Sequence, residues 1–196
     1  GVETQANGTR YEGYFTKGKK GPSGTMRFGE GNVYTGEFKN DLLNGHGKLV
    51  NEKKQMSYEG GWLNNKMHGQ GLYTWDDGRR FQGEYVQDKK HGFGAYMWVD
   101  GRVYYGMWKD GLQHGEGTMV QPNMVNLKKS LWDKGHESQQ LELNDVERSE
   151  IVKYVRNMHA ERDQARKAGR VRRSRQSLQS ARTSDKTRQL QAAARN

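Results

Sequence analysis

The sequence predicts a mainly β fold: an extended, single-layer antiparallel meander of five to six β-hairpin repeats, followed by a C-terminal helical tail. Three observations predict it. An aromatic residue returns at a nearly fixed interval, Tyr11, Tyr34, Tyr58, Phe81 and Tyr104 standing 23, 24, 23 and 23 residues apart. At constant offsets each is followed by a glycine (Gly13, Gly36, Gly60, Gly83, Gly106) and a second aromatic (Phe15, Phe38, Trp62, Tyr85, Trp108). The composition is 32% hydrophobic yet 10% aromatic, with 26 glycines, too little aliphatic material for a thick two-layer core and enough rings to line a thin one.

The repeats occupy a sheet over residues 1–135, with units starting near 11, 34, 58, 81 and 104. Side chains alternate across a strand, so the first aromatic, the glycine and the second aromatic share one face. The second strand of each unit opens with a Gly-x-Gly pair: Gly45/Gly47, Gly69/Gly71, Gly92/Gly94 and Gly115/Gly117, the first unit keeping Gly24 with Pro22 in place of the earlier glycine. Large rings follow at alternate positions, Tyr73 and Trp75, then Tyr96 and Trp98. The other face reads as polar, with Glu12, Thr35, Glu37, Glu59, Gln82 and Glu84. Asn7-Gly8, Asp77-Gly78 and Asp100-Gly101 are hairpin-turn dipeptides, with Gly31-Asn32 serving the same stretch of the first unit.

This register of Tyr-x-Gly-x-aromatic, a turn residue three further on, and Gly-x-Gly resembles the MORN repeat (membrane occupation and recognition nexus). The resemblance runs from Tyr11 to about Asn126; Asp41, Asn65 and Asp88 stand where Gly18 and Gly111 supply glycine. It implies an antiparallel meander with an aromatic groove. It also implies the roles that such repeats fill: scaffold, helix-binding module, dimerisation rod or lipid-binding surface. Gly1 and Gly8 fall where a preceding unit would have glycines, so at least half a repeat is expected upstream. Residues 127–135, with Lys128 in the tyrosine position, read as a degenerate closing cap.

A linker is expected at 136–143 and an amphipathic helix at 144–168. Asn144-Asp145 suit its cap, Glu147 its third position and Gly169 its stop. Ile151, Tyr154, Val155 and Met158 form its docking stripe, either onto its own sheet or onto another protein. Residues 169–196 are a basic extension. From 164 to 196 there are 10 Lys and Arg against Asp185 alone, with Arg166, Lys167, Arg170, Arg172, Arg173 and Arg175 clustered at its start. That cluster suits an acidic protein surface or an anionic membrane.

Catalytic chemistry finds no foothold in the sequence. Cysteine is absent, so thiolate metal sites are excluded. His68, His91 and His114 recur in register, but neighbouring units stand ~10 Å apart, too far for a shared ion. No phosphate-binding glycine loop or nucleophile elbow occurs, and Asp76-Asp77 belong to a turn. No enzyme activity, cofactor or metal is expected, nor nucleic acid as a partner, since no recognition motif accompanies the arginines.

The expected function is a non-catalytic scaffold of a cytoskeletal assembly in the cytoplasm. A ciliary or flagellar axoneme complex such as a radial spoke fits best, with the cell cortex as another setting. Helical segments and acidic surfaces of other proteins would be its partners, held on a groove of Trp62, Tyr73, Trp75, Tyr85, Tyr96, Trp98 and Trp108. A peripheral membrane protein binding anionic phospholipid is the alternative, and a targeting fragment of a larger enzyme the third reading.

Overall fold

A computed structural model describes residues 1–193, with side-chain surroundings described as far as Gly169. Contacts divide the chain into a first unit, Gly1–Val155, and a second from Arg156 onward. Among the described residues, thirteen strands form one antiparallel sheet in simple sequence order. They are β1 (Val2–Thr4), β2 (Arg10–Thr16), β3 (Lys19–Phe28), β4 (Asn32–Lys39), β5 (Leu42–Asn51), β6 (Met56–Leu63), β7 (Lys66–Thr74), β8 (Arg80–Val86), β9 (Lys89–Met97), β10 (Val103–Lys109), β11 (Leu112–Val120), β12 (Leu127–Asp133) and β13 (His136–Gln140). A helix, α1 (Asp145–Ala193), follows. The fold is therefore the mainly β meander with one C-terminal helix that the periodicity predicts.

Turn chemistry sets the register. Inside each hairpin the two central residues are both left-handed, as in Asn40 and Asp41 (φ 51° and 70°) or Asp110 and Gly111 (51° and 90°). This two-residue turn matches the twist of the flanking strands. Asp41, Asn65 and Asp88 tolerate the conformation, and each adds a bond across to the preceding repeat. Their side-chain oxygens accept the backbone N–H of Lys20, Leu43 and Met67, each at 2.8 Å.

Register then brings glycine against glycine. Gly13, Gly24, Gly36, Gly47, Gly60, Gly71, Gly83, Gly94, Gly106 and Gly117 are cross-strand neighbours in succession, a glycine row running across ten strands. The two glycines of the Gly-x-Gly pair have different tasks. Gly115 is left-handed (φ 68°) in a bulge, whereas Gly117 is extended and lies beneath a ring. A Cβ on Gly117 would collide with the Tyr104 hydroxyl, and one on Gly71 would stand 2.5 Å from Tyr58 Cε2.

Three expectations require correction. The degenerate cap does not end at 135: β12 and β13 pair as a sixth hairpin, and β13 occupies much of the expected 136–143 linker. The Lys134-Gly135 turn adopts the same left-handed pair (φ 47° and 85°), while the uniformly polar, exposed sequence of β13 conceals a strand. Gly169 does not stop the helix, which continues to Ala193. An interior glycine costs only about 1 kcal/mol relative to alanine, less than the helix-forming residues flanking it can absorb.

The third correction concerns the face opposite the rings. It is polar in the first repeats but carries Phe93, Ala95, Met97, Val103, Tyr105, Met107 and Val120 on β9–β11. The first turns of α1 lie against it. Tyr154 packs on Tyr105 with ring centroids 5.1 Å apart, Arg148 donates to the Val125 carbonyl at 3.1 Å, and Ile151 borders the same hollow as Phe93, Tyr105 and Met107. Lys129 bridges Glu116 (3.1 Å) and Glu147 (2.8 Å), fixing the helix start to the sheet. The helix is capped as the sequence indicates: Asn144 Oδ1 accepts the Glu147 N–H, and Glu147 Oε2 accepts the Asn144 N–H. Ile151 and Val155 are buried; Met158, also buried, falls in the second unit.

Candidate functional site

The repeat signature builds a ladder of rings. The tyrosine that opens a unit lies over the glycine pair, and its hydroxyl donates to the carbonyl three residues on: Tyr11 to Tyr14, Tyr34 to Glu37, Tyr58 to Gly61, Tyr104 to Met107, at 2.8–3.0 Å. Burial pushes the Tyr34, Tyr58 and Tyr104 hydroxyls above their ordinary range, so they remain neutral donors. The second aromatic stands edge-on both to its own unit's first ring and to that of the unit before. Phe15, Tyr11, Phe38, Tyr34, Trp62, Tyr58, Tyr85, Phe81, Trp108, Tyr104 and Trp132 thus form one zigzag with centroids 5.0–5.4 Å apart. Indole N–H groups of Trp62, Trp108 and Trp132 donate to the carbonyls of Gly47, Gly94 and Gly117. In the sixth hairpin Lys128 supplies no covering ring, and the row's next position can be Ser130, whose hydroxyl donates to Glu137.

This geometry divides the seven candidate groove residues. Trp62, Tyr85 and Trp108 are rungs of the ladder, 7%, 2% and 5% exposed. They form the sheet's own core and present little surface. Tyr73, Trp75 and Trp98 are half-buried and packed against that core, while Tyr96, nearly buried, joins them. Tyr73 and Trp75 are 4.3 Å apart, Trp75 and Tyr96 5.9 Å, Tyr96 and Trp98 4.8 Å. Of the seven, the accessible rings therefore form one continuous platform on β7 and β9 and the turns that follow them.

The platform is cationic. The Arg79 guanidinium lies over Trp75 at 5.3 Å and Arg102 over Trp98 at 5.6 Å, each also paired with the aspartate of its own turn, Asp77 and Asp100, at 2.7 Å. Between them the Lys90 ammonium faces three rings: Tyr96 at 4.3 Å, Trp108 at 4.6 Å and Phe81 at 5.2 Å. Burial, and then the neighbouring Arg79 charge, bring its pKa down to about 8. Sequence reasoning missed Lys90. Its signal was present in the repeat alignment, since Lys90 falls nine residues after Phe81 as Lys20 does after Tyr11.

Of the basic cluster, Arg166 and Lys167 are exposed on α1, and the side chains of Arg170, Arg172, Arg173 and Arg175 lie outside the described residues. Among the described residues no group of three or more His, Asp or Glu could hold a metal ion, and no helix is long and apolar enough to cross a membrane.

The tandem hairpins and their ring-on-glycine ladder define a repeat protein whose exposed chemistry is recognition. A profile of the MORN repeat matches residues 11–33, 34–52, 58–79, 81–101 and 104–123, and the chain belongs to the MORN-repeat family. Such repeats are protein- or membrane-interaction modules and are generally non-catalytic. The chain is similar to Alsin of Rattus norvegicus, 33% identical over 84 residues, 41% of this chain and 5% of that protein. It is likewise similar to Alsin of Homo sapiens, 34% identical over 76 residues, 37% of this chain and 5% of that protein. The chain thus matches only a small part of these relatives.

Proposed function

We propose that this protein is a non-catalytic scaffold of a cytoskeletal assembly, a ciliary or flagellar axoneme complex being the setting that fits best, and that its ring face holds a segment of a neighbouring protein. The observation that carries this reading is the platform of Tyr73, Trp75, Tyr96 and Trp98. Large half-exposed rings on a rigid sheet are the material of interface hot spots. In the same part of the sheet the opposite face is already occupied by the start of α1. The basic cluster at 166–175 would anchor the chain along an acidic neighbour.

The test is made in ciliated cells with the full chain carrying Trp75→Ala, Trp98→Ala or Glu37→Ala. Axonemal fractionation is followed by cross-linking of the retained material. Loss of axonemal retention with either tryptophan variant, but not with Glu37→Ala, supports the reading. Equal retention of all three, or wild-type protein found wholly in soluble fractions, overturns it.

A membrane reading rests on the charge of residues 164–196. Each Lys or Arg beside an anionic leaflet contributes about 1 kcal/mol. Flotation with anionic and neutral liposomes, with and without 164–196, tests it: salt-sensitive binding that disappears with the segment favours lipid over the protein platform.

A further inference from the structure

Lys20 and Lys90 occupy the same position of their repeats, and their surroundings differ in one respect. The Lys20 ammonium lies 5.6 Å from the Tyr11 ring and is neutralised from within the chain, by Glu3 at 2.6 Å and Asp41 at 4.0 Å. Glu3 is the cross-strand neighbour of Tyr11, and Asp41 is the turn residue of the next hairpin. Around Lys90 the corresponding residues are Tyr73, the cross-strand neighbour of Phe81, and Gly111. Both carboxylates have been replaced, one by a ring and one by a hydrogen atom. The charge that remains nearby, Arg79, has the same sign as Lys90.

We propose that Lys90 is an acid-recognition point of the ring platform, receiving the carboxylate of an aspartate or glutamate carried by an otherwise apolar segment of a partner protein. The proposal rests on the platform reading above and names the partner's chemistry. Charge complementarity carries it. An ammonium held against three rings with no carboxylate partner is compensated within the chain by cation–π attraction, worth about 0.5–2 kcal/mol. Burial and then the Arg79 charge hold its pKa below the ordinary lysine value, and a carboxylate placed on the ammonium would act in the opposite direction. Arg79 and Arg102 are each paired with the aspartate of their own turn, so of these three cations Lys90 is the one left without a carboxylate.

The first repeat shows what fills this position when the chain supplies the occupant itself: one glutamate carboxylate on the ammonium. At Lys90 the in-sheet route is closed by Tyr73, so the acid must arrive from above the rings. There Trp75 and Trp98 receive the apolar residues flanking it. A single recessed ammonium matches a single carboxylate.

The test is selection of dodecapeptides from a random library on the full chain, wild type against Lys90→Met, Lys90→Arg and Trp75→Ala. Methionine is safe for folding here, because Met67 holds the same position in the third repeat. The expected result is enrichment of peptides with one Asp or Glu among aromatic or aliphatic residues. Lys90→Met should weaken them by about thirtyfold, the cost of leaving the peptide's carboxylate unpaired among the rings, and Lys90→Arg should restore part of the affinity. Affinity should also fall as the pH rises above about 8, where free Lys90 gives up its proton while the neighbouring Arg79 keeps its charge. Peptides that depend on Trp75 but show no acidic preference, and bind Lys90→Met equally, overturn the inference and leave the platform standing. Peptides indifferent to Trp75 as well overturn both. Lys90-dependent binding to phosphatidylserine vesicles without any peptide preference also overturns it, by assigning the ammonium to a lipid.

Discussion

The first and fourth repeats are built on one plan and present different surfaces. In both, a ring lies over a glycine pair and a lysine lies over the ring. Around Lys20 the chain closes its own electrostatics with Glu3 and Asp41; around Lys90 it leaves an ammonium against three buried rings with no carboxylate on it. The difference teaches where function is stored in a repeat protein. Positions that recur in every unit make the ladder and its stability, while positions that vary between units make the surface that distinguishes one unit from the next.

The widest separation between these two classes should come from the glycine row. Gly71→Ala places a methyl against Tyr58 Cε2 and the ring's hydroxyl, both 2.5 Å away. We expect a loss of about 3 kcal/mol or more, the upper range for overpacking, read as the urea midpoint of the full chain. Gly8→Ala, whose Cβ would meet nothing within 4 Å, should cost only the strain of its left-handed turn. Equal losses for the two would break the distinction between ladder and surface glycines.

Next in size is the contact that exists only at the C-terminal end of the sheet. Ile151 is 6% exposed, and truncating it should cost about 2–4 kcal/mol. Hydrogen exchange in Ile151→Ala should show faster exchange over 145–155 and along β10 and β11, with β2 to β5 unchanged. Uniform acceleration of the whole sheet would mean that the helix start supports every repeat alike.

The ladder was legible in the sequence because each constraint is local and repeats. A ring needs glycine beneath it, a two-residue turn needs residues that accept positive φ, and both recur at a fixed interval. The sixth hairpin was less legible: Lys128 and Ser130 abandon the signature together, since without a ring there is no need for glycine. What the sequence concealed was which rings stay open. Trp62 and Trp75 are the same residue type on the same face, yet one is a rung of the ladder and the other a half-buried rim. Only the three-dimensional zigzag separates them. Lys90 was hidden for a related reason, because its significance lies in Tyr73 and Gly111, distant residues notable only for not being acids.

Comparison of the two lysines sharpens to a difference of sign. Lys90→Met should stabilise the free chain by about 1–2 kcal/mol at neutral pH by removing a desolvated charge. Lys20→Met should cost up to about 1 kcal/mol by unpairing Glu3 and Asp41, both of which retain solvent. The pH dependence follows from the direction of the Lys90 shift. Its folded pKa, about 8, lies below the unfolded value of 10.5, so between those values the unfolded chain holds a proton that the folded chain has released. Wild-type stability therefore rises across that window relative to Lys90→Met, and the advantage of the variant shrinks. Parallel stability curves from pH 7 to 10.5 would show that Lys90 is solvated and that the two repeats do not differ in this respect.

The smallest effect concerns the one unit whose first ring lacks a hydroxyl. Tyr58→Phe removes the bond to the Gly61 carbonyl and should cost about 1 kcal/mol, leaving the ring in place. Phe81 is the natural form of that variant, lying over Gly83 and Gly94 as Tyr58 lies over Gly60 and Gly71. Phe81→Tyr would direct a hydroxyl toward the Glu84 carbonyl and, if the fourth repeat were purely structural, should regain a similar amount. The ring also forms one wall of the cup around Lys90, at 5.2 Å. Because an added hydroxyl gives the ring a dipole at the edge packed on Gly83 and Gly94, the same substitution should shift the Lys90 pKa from its wild-type value. Measured together by urea titration and lysine NMR, a gain in stability with no movement of Lys90 would show that Phe81 serves the ladder alone. Movement of both would show that the missing hydroxyl belongs to the design of the site.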